Sequence, residues 1–263
     1  MGNNTIPLKI AGVGYSIPDT VITNDDLTKL YDTSDEWIYS RTGIKERRVV
    51  SGEQNAVDLG LEAAQRALEK AKINPNDLDL IIAASSAPPD LYPAIACHIQ
   101  TRLGITTQIP AFDITAACTG LIYALNIAKA YIASGMYKTI LLVATDNNSR
   151  LVNWEDRGTS ILFGDGAGAM VVTASDDGVD DIIAIDIKAD GSIGDLIELA
   201  FDGKNCPLVE VVQSRIFPFL HFLNGMADRT EVSDRALRRS TLPRRPLRPW
   251  EIMLFTTQTS WKR

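Results

Sequence analysis

The chain has 263 residues, 45% of them hydrophobic and 22% charged, which excludes collagen, global disorder and a small disulfide scaffold. Its formal net charge of -7 is uneven, because residues 1–205 carry 16 Lys+Arg against 28 Asp+Glu while residues 206–263 carry 10 against 5. An acidic main body speaks against nucleic acid as the partner, since neutralising phosphates needs a basic surface.

In chain order, Thr23–Tyr31 opens on a capping Thr with acids in its first turn and predicts a short helix. Thr33-Ser34-Asp35-Glu36 spells a capping box ahead of Trp37 and Ile38 and predicts a second. Val57, Leu61, Ala64, Leu68 and Ala71 recur at helical spacing, so they define one face of a helix that ends near Lys72 and is stopped by Asn74-Pro75-Asn76. Leu80–Ala84 is apolar without alternation, as a strand buried on both faces should be. Pro93 fits the first turn of a helix running to about Leu103, with Gly104 as terminator. Ala111–Ile114 reads as a second buried strand, followed by an apolar, central helix from about Thr119 to Ser134 that Gly135 closes. Ile140–Ala144, Gly168–Thr173 and Ile182–Ile187 are three further strands, and the alternation of helices with apolar strands indicates an α/β layered fold. Beyond Cys206 the pattern breaks: Pro243, Pro246 and Pro249 among Arg244, Arg245 and Arg248 fit neither an interior helix nor a central strand.

Three features carry possible chemistry. Cys118 stands at a strand-to-helix junction among small residues, where free amides and the helix dipole favour a thiolate; the bland alternative is a small buried hydrophobe. Gly164-Asp165-Gly166-Ala167-Gly168 suggests a phosphate cradle, but it precedes a strand and lacks Rossmann or P-loop spacing, so a tight turn packed against another backbone is the better account. Trp37, Arg41 and Arg157 could sandwich an adenine and pair with phosphate, although Trp and Arg four apart also stack on each other. His98 and His221 read as structural, and no spacing of His, Cys or carboxylates suggests a metal. Cys97, Cys118 and Cys206 are too few and scattered for a disulfide framework. No apolar run reaches the roughly 18 residues needed to span a bilayer and Met1–Pro7 has no signal-peptide pattern, so a cytoplasmic protein off the membrane is expected.

Asp32-Thr33-Ser34-Asp35-Glu36-Trp37-Ile38, Arg41-Thr42-Gly43-Ile44, Ala116-Ala117-Cys118-Thr119-Gly120, Asp156-Arg157-Gly158-Thr159 and Phe163–Ala169 occur in an order that resembles β-ketoacyl-[acyl-carrier-protein] synthase III. The resemblance runs from about Leu8 to about Leu199. It implies a thiolase-like αβαβα fold acting as a homodimer, with residues 1–175 as a complete first half, 176–205 as the start of a second half, and 206–263 as a divergent basic tail where that half is truncated or replaced. It further implies that Cys118 accepts an acyl group from a short acyl-CoA and passes it to malonyl-[acyl-carrier-protein], initiating type II fatty acid synthesis. Trp37, Arg41 and Arg157 match positions that hold CoA, Tyr92 matches a residue that reaches across the dimer to the acyl pocket, and CoA is a substrate, so no cofactor is implied. The family's His-Gln-Ala-Asn and Gly-Asn-Thr-Ser segments do not occur in this sequence. Together with the charge shift, this leads to the expectation that the reading frame changes after about Asn205. The alternative function is a non-catalytic remnant that binds CoA or pairs with a homologue.

Overall fold

The computed structural model describes residues 5–192, so Cys206, His221 and the predicted basic tail 206–263 lie outside the described residues. In chain order the elements are β1 (Leu8–Ser16), β2 (Thr20–Thr23), α1 (Asn24–Leu27), α2 (Asp35–Thr42), β3 (Glu46–Val49), α3 (Ala56–Ala71) and β4 (Leu80–Ala84). They continue as α4 (Ile95–Arg102), β5 (Ala111–Ile114), α5 (Gly120–Ala133), β6 (Thr139–Asn147), α6 (Arg157–Ser160) and β7 (Asp165–Ala174).

Five strands form one sheet in the order β1-β7-β6-β4-β5, with β6, β4 and β5 parallel and β7 antiparallel to both its neighbours; β2 and β3 form a separate antiparallel pair. Every residue of β4 is buried because helices cover both faces of the sheet. On one face Ile81, Ala83, Leu141, Val143 and Val171 pack against Ala63, Ala64, Ala67 and Leu68 of α3 and Ile95 and Ile99 of α4. On the other, Leu80, Ile82, Ile140, Leu142 and Val172 meet Ala124, Leu125, Ala128 and Ile132 of α5. Alternate residues of the central strands thus feed two cores, which is the three-layer arrangement that the alternation of elements predicts.

Several local expectations are corrected. The helix after Thr23 covers only Asn24–Leu27, opened by a capping box between Thr23 and Asp26. The cap of α2 is Ser34, whose hydroxyl accepts the Trp37 amide at 3.1 Å, one residue later than a Thr33–Glu36 box requires. Replacing Ser34 with Ala should cost about 1 kcal/mol of stability, read from the urea midpoint, because it leaves one of the first-turn amides of α2 without its acceptor. Pro93 precedes α4 rather than entering it: the Asp113 carboxylate accepts the amides of Ile95 at 2.7 Å and Ala96 at 2.9 Å, which fixes the helix start there. β5 is half-buried, not buried, since it is the outermost strand of the described sheet. α5 buries one face against the sheet, and Ile122 on its opposite side is 44% exposed.

Ile182–Ile187 is not a strand. Its start is pinned without a ladder: the Asp181 amide donates to the Leu8 carbonyl at 2.8 Å, the Asp181 carboxylate accepts the Ile10 amide at 2.8 Å, and Lys129 donates to the Ile182 carbonyl and pairs with Asp180 at 3.1 Å. β1 and the β2–β3 pair are elements that the sequence reading does not predict. Gly12 and Gly14 of β1 face α3 so closely that a Cβ on either would collide with its backbone, at 2.6 Å from the Ala71 amide nitrogen and 2.5 Å from that of Ala67.

Candidate functional site

The carboxyl ends of parallel strands are where open α/β sheets place ligands. Here β5 ends at Ile114, and the chain passes through Thr115 and Ala116 into a tight turn, Ala117–Thr119, that runs straight into α5. Ala117 adopts a left-handed backbone with φ of +44°. Gly120 lets the start of α5 press against β4, since a Cβ there would lie 2.8 Å from Cβ of Ala84. Cys118 is exposed and, in the turn that opens the helix, its amide has no intrahelical acceptor.

Cys118 lines a pocket of about 290 Å³, together with Ala84, Ala117, Leu121, Asp146 and the glycines Gly164, Gly166 and Gly168. The volume is at the small end for ligand sites and suits a short chain. The glycine-rich segment therefore has a different place from the expected tight turn. Gly166 and Gly168 belong to β7, where they pair with Asp146 and Ala144 of β6; a Cβ at Gly164 would press on the Arg48 carbonyl at 3.0 Å, whereas one at Gly166 would make only ordinary contact with the Ser16 carbonyl at 3.7 Å. Without side chains these glycines leave the wall opposite Cys118 open.

Asp146 is a site residue that the sequence reading missed. One of its carboxylate oxygens accepts from the Ser85 hydroxyl at 3.0 Å, the Ser86 amide at 2.7 Å and the Ala87 amide at 3.1 Å. The Asp146 carboxylate thus joins β6 to the residues that follow β4, and the Thr115 hydroxyl, donating to the Ser85 carbonyl at 3.4 Å, joins those to the end of β5. Its signal is an acid two residues past the apolar run Ile140–Ala144, near the strand end where loops carry ligands.

Trp37, Arg41 and Arg157 do come together. The guanidinium carbons of Arg41 and Arg157 lie 4.2 and 4.4 Å from the Trp37 ring centroid. Arg41 also donates to the Trp37 carbonyl at 3.2 Å, and Arg157 to the Asp32 carbonyl at 2.8 Å. Arg157 is the first residue of α6, capped by Asp156. Hydrogen bonds from the Thr159 hydroxyl and the Gly158 amide hold the Asp156 carboxyl below its ordinary value, so this cap stays charged as pH falls and releases its helix only below the usual carboxylate range. None of these three residues lines the Cys118 pocket, and neither does Tyr92, which sits on the loop between β4 and α4 with 66% exposure. His98, on α4, is 3.7 Å from Asp90 and away from the pocket lining. Among the described residues no three His, Cys, Asp or Glu side chains converge as metal ligands, and no helix is long and apolar enough to cross a membrane.

Residues 112–191, which hold the cysteine turn, α5 and the glycine-rich wall, match the family model for 3-oxoacyl-[acyl-carrier-protein] synthase III. The chain is 44% identical over 230 residues to the β-ketoacyl-[acyl-carrier-protein] synthase III of Chlamydia trachomatis, covering 88% of this chain and 68% of that one. The chain belongs to the synthase III family. An aligned length of 230 residues within 263 extends beyond Asn205. A synthase III from Neisseria gonorrhoeae is 50% identical over 184 residues, 70% of this chain and 57% of its own. Among solved structures, the synthase III of Aquifex aeolicus superposes with a TM-score of 0.62 at 48% identity, over 64% of this chain and 54% of that one. That of Pseudomonas aeruginosa gives 0.69 at 36% identity, over 76% and 62%. The fold is thus that of the synthase III family, thiolase-like, and the chain spans about half the length of the first of these solved relatives.

Proposed function

We propose that this chain is a condensing acyltransferase that starts fatty acid synthesis, using Cys118 as the acyl acceptor. The observation that carries the reading is the exposed Cys118 sulfur on the wall of a small pocket, at the head of a 14-residue helix and at the carboxyl ends of parallel strands. A thiolate there attacks the carbonyl carbon of a short acyl-CoA. The bond from that carbon to the CoA sulfur breaks, and CoA leaves with a proton from solvent. The Cys118 amide, in the first turn and so without an intrahelical acceptor, would receive the oxyanion.

In the second half-reaction malonyl-[acyl-carrier-protein] loses carbon dioxide, and the electron pair of the broken C–C bond attacks the acyl carbon. The new C–C bond expels the Cys118 thiolate and leaves β-ketoacyl-[acyl-carrier-protein]. Atoms balance without a further co-reactant, so CoA enters as substrate and no cofactor is required. Trp37, Arg41 and Arg157 would receive the CoA nucleotide, and Tyr92 would reach the acyl pocket of a second copy in a homodimer. Acyl-CoA and carrier protein as partners place this work in the cytoplasm.

The test is incubation of the full chain with radiolabelled acetyl-CoA, followed by malonyl-[acyl-carrier-protein]. Label on Cys118 that passes into ketoacyl product supports the whole reading. Label that stays on Cys118 supports acyl transfer and overturns condensation. No label overturns both.

A further inference from the structure

Arg47 on β3 is a buried guanidinium, 5% exposed, and among the described residues no carboxylate pairs with it. Burial pushes it below its ordinary pKa, and among the described residues its Nε finds no acceptor. Such a cation is costly to bury, so its partners show what it is kept for. One terminal nitrogen donates to the Ile161 carbonyl at 3.0 Å and to Asn24 Oδ1 at 3.0 Å. Asn24, itself buried, donates onward to Asp35 Oδ1 and to the Ile44 carbonyl, both at 2.7 Å.

These contacts fall at informative places. Ile161 is the residue that closes α6, the helix that begins with Arg157. Asp35 is the first residue of α2, the helix that carries Trp37 and Arg41, and Ile44 follows the Gly43 that closes it. Both ends of one helix and the end of the other are therefore tied to a single buried hydrogen-bonded pair, and the Trp37 ring with its two guanidiniums lies between those helices. A planar guanidinium suits this task because its donors leave in fixed directions.

We infer that Arg47, acting with Asn24, is a positioning residue for nucleotide binding: it sets the spacing of Arg157 relative to Trp37 and Arg41 without touching the ligand. The inference rests on the reading that these three side chains receive the CoA adenine. It predicts a loss confined to ligands that carry the adenine nucleotide.

The experiment is isothermal titration of the full chain with CoA and, separately, with 4′-phosphopantetheine, which lacks the nucleotide. Arg47→Met and Asn24→Ala are compared with the wild type, with circular dichroism to confirm folding. The wild type should prefer CoA. Each variant should bind CoA about tenfold more weakly, the scale expected of misplaced binding groups, while phosphopantetheine affinity stays within about twofold. Asn24→Ala keeps the guanidinium and still breaks the link to α2, so it decides the matter should Arg47→Met not fold. Equal losses for both ligands, or no loss for either in a folded variant, would overturn the inference. A wild type that does not distinguish the two ligands would overturn the adenine reading itself, and this inference with it.

Discussion

Cys118→Ser should abolish acyl transfer from acetyl-CoA, lowering the labelling rate by at least about 10³-fold, while leaving the thermal midpoint where it is. The two halves of the expectation have separate causes. An alcohol at the head of α5 is a far weaker nucleophile than a thiolate, and among the described residues lining the pocket there is no histidine to serve it as a base. The side chain is exposed and belongs to neither sheet core, so the change of one atom removes little packing. Mass spectrometry of the tryptic peptide after incubation with acetyl-CoA measures the first half, and a melting curve the second. Undiminished acetylation of the Cys118→Ser variant would show that another residue accepts the acyl group.

The second large effect concerns stability. Gly14→Ala should destabilise the protein by about 3 kcal/mol or more, because the added carbon meets backbone that cannot rotate away. A Cβ at Gly14 would sit 2.5 Å from the Ala67 amide nitrogen, 2.8 Å from Cβ of Arg66 and closer still to the Ala63 carbonyl. The only relief is to move α3 off β1, which would open the core that Ala63, Ala64 and Ala67 form with the sheet. In a domain of this size the unfolding midpoint should fall by on the order of 10 °C. Gly168→Ala is the control, since a carbon there has nothing within 4 Å and should leave the midpoint nearly unchanged. Equal midpoints for the two variants would mean that β1 and α3 can separate without loss.

The same glycines explain what sequence periodicity could show. β4 is legible because five consecutive apolar residues serve a strand covered on both faces. α3 is legible because its buried residues recur every three or four positions: Val57, Ala64 and Leu68 of the expected face are buried, while Leu59, Ala63 and Ala67 are buried beside them and Leu61 and Ala71 lie at the half-buried edge. β1 hides because Gly12 and Gly14 occupy positions where apolar side chains would have marked the inward face, and a bulge between Ile10 and Gly12 shifts the alternation. Ile182–Ile187 misleads in the opposite sense, being apolar because Ile182 and Ile185 pack on the core, while Lys129 and not a neighbouring strand takes the Ile182 carbonyl.

In the site, Cys118 is legible because small residues around a cysteine between strand and helix have a physical reason. The stacking of Arg41 on Trp37 follows from helical spacing, whereas that of Arg157, 120 positions away in sequence from Trp37, came only with the motif order. Arg47 is not legible at all, and Asp146 is legible only as an acid close behind an apolar run. Their meaning depends on partners from distant elements, and a run such as Lys45-Glu46-Arg47-Arg48 looks like solvated surface until one of its cations is found inside.

The left-handed backbone of Ala117 carries a cost, since an L-residue with a Cβ is disfavoured there by roughly 1 to 2 kcal/mol and glycine would not be. A looser residue would ease the turn and also free it to wander. The strain buys aim: alanine at this position narrows the paths the backbone can take into α5, and the sulfur one residue later inherits that narrowness as a fixed line of fire into the pocket.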